Sequence, residues 1–183
     1  MSARPAVVLC GPMGSGKSAV GRRLATRLAT GFLDSDTEVE ETEGRTVAEI
    51  FASDGEPRFR DLEHAAVARA LTGHDGVLAL GGGAVMDART QEALADYRAA
   101  GGVVAYLQVG VRDAMLRIGS AASRPLLAED PRERWSRLAS EREGTYRLVS
   151  DLVVVTDRRS PGAVVREIAD HLSGAEEWRA TTR

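Results

Sequence analysis

"GPMGSGKS", Gly11–Ser18, decides how the rest of this chain is read. It follows the apolar run "AVVLC" (6–10) and precedes a stretch in which Val20, Leu24 and Leu28 recur at helical spacing. Strand, glycine-rich turn and helix, in that order, are the setting in which G-x-x-x-x-G-K-[ST] cradles phosphate groups. The glycines let the backbone turn its N–H groups inward, and the helix beginning near Lys17 adds its positive end. Lys17 then reaches the β- and γ-phosphates of a nucleoside triphosphate, and Ser18 is a ligand for Mg2+. Lys17 is also the chain's one lysine among 24 Lys and Arg residues. A compact ammonium is expected there because a planar guanidinium is too broad for the loop.

Working outward, short β-branched runs alternate with helical patterns, which predicts an α/β fold: a parallel sheet with helices on both faces. Five strands are expected, at 6–10, 31–34, 76–80, 103–109 and 152–156. Besides the helix after the first strand, helices are expected at 59–71, 89–100, 133–149 and 161–172, the last with Pro161 in its first turn. "IGSAASRPLLAEDP" (118–131) carries no periodicity and reads as a mobile loop. Residues 1–173 are expected to form one domain, with a frayed tail over 174–183.

Composition removes several classes of function. The formal charge is −3 and no run of arginine forms a nucleic-acid stripe. No apolar run approaches the ~20 residues of a membrane span. The lone Cys10 lies in an apolar run and reads as a buried, inert thiol, so a reducing, cytoplasmic setting is expected. There is no room for a signal peptide before the glycine loop. His64, His74 and His171 lack metal-ligand spacing. A monomer acting on small molecules is the expectation, with no nucleic acid or membrane as partner.

Among proteins with a phosphate-binding loop, a GTPase needs an N-K-x-D motif, and this chain has no asparagine and no second lysine. The acids that stand out are Asp34 and Asp36 in "LDSD". Alternate residues of an extended segment project the same way, so both carboxylates are expected in the crevice beyond the strand ends. One could hold Mg2+ and the other accept a proton from an attacking hydroxyl. A turn and a helix cap before "TEVEE" is the bland reading. Two helices carry charges on apolar stripes. Arg142 lies among Trp135, Leu138, Tyr146 and Val149, and Glu63 lies among Phe59, Leu62, Ala66 and Ala70, with Arg60 one turn earlier. Such charges either pair structurally and snorkel or point into a cavity. Both occurring beside a phosphate loop points to a pocket for a small anion.

The ordered series "GPMGSGKS", "LDSD", "IFASDGEPRFRDLE", "LALGGGAV", "RPLL", "EREGTYRLV" and "RRSPG" resembles the shikimate kinases over about residues 6–172. The resemblance implies a nucleoside-monophosphate-kinase-like fold with a mobile lid over about 112–131. It implies transfer of the ATP γ-phosphoryl group to the 3-hydroxyl of shikimate, with Mg2+, on the way to chorismate and the aromatic amino acids. It further implies that Gly14, Ser15, Gly16, Lys17, Ser18 and Ala19 cradle the phosphates, and that Ser18 and Asp34 hold Mg2+. Asp36 meets the shikimate hydroxyl, Arg60 and Arg142 clamp its carboxylate, Glu63 orients Arg60, and Gly82 offers backbone contacts. Phe51 and Phe59 wall the ring, Arg124 belongs to the lid, and Arg117, Arg159 and Pro161 border the adenine. Two alternatives remain open from the residues alone. One is a kinase of another small hydroxylated carboxylate, such as gluconate, or of a cyclitol; the other is a non-catalytic nucleotide-binding module.

Overall fold

Val7, Val8, Leu9 and Cys10 are all 0 % exposed, so the first strand, β1 (Val7–Cys10), is covered on both faces. Side chains alternate across a strand, so its residues divide between two cores. Val7 and Leu9 pack with Val20, Leu24, Val164 and Ile168, while Val8 and Cys10 pack with Val67, Leu94, Tyr97 and Tyr146. A near-continuous apolar run of this kind marks a parallel strand between two helical layers. The computed structural model describes residues 4–119 and 130–181, with side chains as far as residue 174.

The remaining elements follow in order. They are α1 (Lys17–Leu28), β2 (Gly31–Asp34), α2 (Ser35–Glu43), α3 (Val47–Gly73), β3 (Gly76–Ala79), α4 (Ala88–Ala99), β4 (Val104–Gln108), α5 (Val111–Ile118), α6 (Pro131–Val149), β5 (Leu152–Val155) and α7 (Pro161–Thr181). The sheet is five-stranded, all parallel, in the order β2-β3-β1-β4-β5. Helices α1 and α7 cover one face, and α3, α4 and α6 cover the other. Each fully buried Leu, Val or Ile in these layers contributes about 1.5–3 kcal/mol, so the two cores dominate the stability. The carboxyl ends of β1, β2 and β3 converge on one edge of the sheet, where open α/β sheets form their crevice.

The expected strands all form, each within a residue or two of its expected limits. Three stretches differ. The acid-rich segment after β2 is a helix, α2, and α3 begins at Val47 where a helix was expected only from 59. Its start is fixed by a capping box: Thr46 accepts from the Glu49 N–H, and the Glu49 carboxylate accepts from the Thr46 N–H. Gly55, at φ 82°, breaks the helical backbone before Pro57, so α3 is two helices across a kink, which hides its periodicity. Helix α5 occupies 111–118, the first part of the segment expected to be a lid; the rest of that segment, 120–129, lies outside the described residues. Helix α7 extends to Thr181, into the segment 174–183 expected to be a frayed tail. No helix among the described residues is long and apolar enough to cross a membrane.

Candidate active site

The glycine loop leaves β1 and enters α1 through Gly16, whose φ of 95° is left-handed and whose side makes no cap hydrogen bond. The first N–H groups of α1 are thus left to face the hollow of the loop. Gly14, at φ 77°, lies so close to α5 that a Cβ there would sit 2.8 Å from the Ala114 carbonyl oxygen. The ammonium of Lys17 donates to the carbonyls of Gly11 at 2.8 Å and Pro12 at 3.0 Å, which folds the side chain back over the loop. A cavity of about 490 Å3 opens here, and Lys17, Ser18, Asp34, Arg117, Arg159 and Pro161 all line it. Gly14, Ser15, Gly16 and Ala19 share that lining. Arg117 is anchored rather than loose, donating to Thr156 Oγ1 at 2.9 Å, to the Thr156 carbonyl at 2.6 Å and to the Gly14 carbonyl at 3.2 Å. It therefore braces the outer wall of the loop.

Asp34 and Asp36 do reach one crevice, by a route other than strand alternation. Asp34 ends β2 and caps α2, accepting from the Asp36 N–H at 3.2 Å, so Asp36 is already helical. The cap and the candidate ligand are the same residue: its other oxygen, Oδ2, accepts from Ser18 Oγ at 2.9 Å. A hydroxyl and a carboxylate side by side are the hard oxygen donors that suit Mg2+, which takes one or two protein oxygens and completes its shell with water and phosphate. Asp36 differs sharply. Its Oδ1 is buried without a hydrogen-bond partner among the described residues. Burial first, and the Asp34 charge second, push its carboxyl up to about 6, against the pull of Lys17 and Arg60.

A second cavity, about 540 Å3, adjoins the first and shares Met13, Asp36 and Gly82 with it. Its far wall carries two guanidinium groups, Arg60 and Arg142, beside the paired rings of Phe51 and Phe59, 4.8 Å apart. Glu63, only 2 % exposed, accepts from Arg60 Nη1 at 2.5 Å, and Glu56 accepts from Nη2 at 3.0 Å. Burial outweighs the contact with Arg60 and holds the Glu63 carboxyl up, to about 7. The glycine triplet makes this crowding possible. A Cβ on Gly81 would run into the carboxylate oxygens of both Glu63 and Asp36, and one on Gly83 would sit 2.5 Å from both terminal nitrogens of Arg60. So one cavity offers N–H donors to phosphate, and its neighbour offers two cations and the Asp36 carboxyl. That is the layout of a phosphoryl donor site facing an anionic acceptor site.

The family profile described as shikimate kinase matches residues 13–173. The chain belongs to the shikimate kinase family. It is 48 % identical over 179 residues to a shikimate kinase of Mycobacterium avium, covering 97 % of this chain and 99 % of that one. It is 49 % identical over 166 residues to one of Streptomyces coelicolor, covering 91 % and 94 % respectively. The fold matches the solved shikimate kinase of Acinetobacter baumannii in complex with shikimate with a TM-score of 0.87 at 33 % identity, over 94 % of each chain. As a shikimate kinase, the protein is an ATP-dependent phosphotransferase.

Of the residues singled out from the sequence, all but Arg124 lie on one cavity or the other; Arg124 falls outside the described residues. Several neighbours were not anticipated. Glu40 lines the acceptor cavity while its Oε1 accepts from the Val47 N–H at 2.8 Å, tying α2 to the start of α3. Thr156 lines the nucleotide cavity and holds Arg117. Neither carries a motif, and Thr156 meets Arg117 across 39 positions of the chain. His64 donates to or accepts from Thr90 Oγ1 at 3.1 Å between α3 and α4, a structural contact. Cys10 is fully buried, and burial pushes its thiol up to about 12, as an inert core residue requires.

Proposed function

We propose that this shikimate kinase uses the first cavity for ATP and the second for shikimate, moving the γ-phosphoryl group to the acceptor's 3-hydroxyl across the wall they share. The observation that carries the reading is the convergence on one cavity of Arg60, Arg142 and Asp36, beside the phosphate loop. Two cations facing one space suit a carboxylate, and a neutral cyclitol would leave both without an anion. Arg60, held between Glu56 and Glu63, is oriented before the ligand arrives. Asp36 accepts the hydroxyl's hydrogen bond through its carboxylate and takes the proton as the phosphoryl group transfers. Lys17 neutralises charge on the transferring group, a role also assigned by family resemblance to Arg124. Ser18 and Asp34 would hold Mg2+, directly or through water, and the metal would supply positive charge to offset that of the phosphates. Arg117, Arg159 and Pro161 border the base.

Release of ADP from ATP and Mg2+, measured against shikimate, quinate, gluconate and nucleoside monophosphates, tests the reading. Shikimate is expected to give by far the highest kcat/KM, and a clear preference for any other acceptor overturns it. A second test isolates the carboxylate. Arg142→Ala is expected to weaken shikimate binding by about 2–5 kcal/mol, the range for removing one partner of a desolvated charge pair. ATP affinity and melting temperature should scarcely move, because the Arg142 hydrogen bond to the Gly82 carbonyl is long, 3.3 Å, and Tyr146 donates to the same carbonyl. A variant that melts much earlier yet binds shikimate normally removes Arg142 from the clamp.

A further inference from the structure

The two cavities meet at Met13 and Gly82, which line both. This partition is thin: a Cβ on Gly82 would lie 3.6 Å from the Met13 nitrogen and 3.7 Å from the Gly11 carbonyl oxygen. Both partition residues sit in loops, so no strand or helix ladder fixes their carbonyls. What holds them is α6. Its Trp135 indole N–H donates to the Met13 carbonyl at 2.9 Å, and its Tyr146 hydroxyl donates to the Gly82 carbonyl at 2.5 Å. The two side chains are about three helical turns apart and share one face. Neither lines either of these two cavities.

Both anchors are themselves immobilised. Trp135 is 4 % exposed, packed with Val109 and Ala114, and Tyr146 is 0 % exposed and stacked on Tyr106 of β4 with ring centroids 5.0 Å apart. An indole N–H can only donate, and burial pushes the Tyr146 phenol well above its usual range, so it too stays protonated as a donor. The same helix carries Arg142 on to the Gly82 carbonyl. One rigid element thus sets the height of the phosphate loop, the position of the glycine turn and the place of an acceptor-binding cation together.

We infer that Trp135 and Tyr146 are positioning residues: acting through the Met13 and Gly82 carbonyls, they fix the partition across which the acceptor hydroxyl and the γ-phosphate must align. The inference rests on the reading of the two cavities given above. It predicts a signature that plain packing does not, because each substrate keeps its own contacts and only their mutual geometry slips. Tyr146→Phe keeps the ring and removes the hydrogen bond; Trp135→Phe removes the N–H and puts a smaller aromatic ring in place of the indole. Each is expected to lower kcat by about tenfold or more, since a misplacement of ~1 Å costs up to about 10²-fold, while both KM values stay within about threefold. The share of ADP released without phosphorylated acceptor should rise, because a misplaced hydroxyl leaves water to compete.

Replacing Trp135 by benzothienylalanine, an isostere without the N–H, preserves the packing and answers the question at that position even if the Phe variant folds poorly. Wild-type protein is assayed alongside. Folded variants whose kcat stays within about twofold of wild type, whatever their melting temperature, overturn the inference and leave the two side chains as core packing. A kcat loss matched by an equal rise in one KM also overturns it, since that would place the defect in one cavity. If wild type shows no shikimate-dependent ADP release, the reading of the cavities fails instead, and the positioning role falls with it.

Discussion

Asp36→Asn is expected to lower kcat by about 10²–10⁴-fold, the usual worth of a positioned proton acceptor, while ATP affinity stays close to wild type. The amide keeps the size and reach of the carboxylate, so the hydroxyl can still be met, but it cannot take the proton. The same substitution should make the empty protein more stable at neutral pH. Burial and Asp34 raise the Asp36 carboxyl from 3.8 to about 6 in the folded chain. Between those values the folded state binds more protons than the unfolded one, so stability falls as pH rises. The penalty is absent below about pH 4, is complete above about pH 6, and for a shift of this size is on the order of 3 kcal/mol. The variant lacks it, so its stability advantage should grow from nothing near pH 4 to its full value near pH 7. Wild-type kcat/KM should fall on the acid side with an apparent pKa near 6, and the variant should lose that limb. Retention of most of the kcat would reduce Asp36 to a residue of the first turn of α2.

Lys17→Arg is expected to reduce turnover by about 10²-fold or more, the scale for loss of one donor to the transferring group. Charge is conserved, so the effect measures shape. The ammonium is a point charge with tetrahedral donors, and it meets two loop carbonyls at 2.8 and 3.0 Å. A planar fork cannot reproduce both contacts and still reach a phosphate. Because Lys17 is only half-buried, its melting temperature should change little. Near-normal turnover in the folded variant would mean that charge alone suffices at this position.

These residues differ in how openly they are written in the chain. Periodicity made the parallel sheet and its two helical layers legible, because a strand buried on both faces must be apolar throughout and a covering helix must repeat its apolar residues every three or four positions. The phosphate loop was legible for the same kind of reason: its backbone shape demands glycines at fixed offsets, and its ligand demands a lysine and a hydroxyl next to one another. Arg142 and Glu63 were visible as charges on otherwise apolar stripes. The start of α3 and the continuation of α7 were not, since Gly55 and Pro57 interrupt the one and a polar composition masks the other.

What the sequence by itself determined, then, was local: which segments are strands and helices, where a phosphate is cradled, and which charged residues have no business on a core face. What only the tertiary structure decided was relational. The Asp34 carboxylate serves at once as the cap of α2 and as a partner of Ser18, sixteen positions away, because β1 and β2 bring their ends to one edge of the sheet. Asp36 and Glu63 crowd against Gly81, and α6 reaches across to Met13 and Gly82, through contacts that span up to 122 positions. Spacing within a segment is set by bond geometry and is therefore readable, whereas proximity between distant segments is set by how the two cores pack, and that appears in no single stretch of the chain.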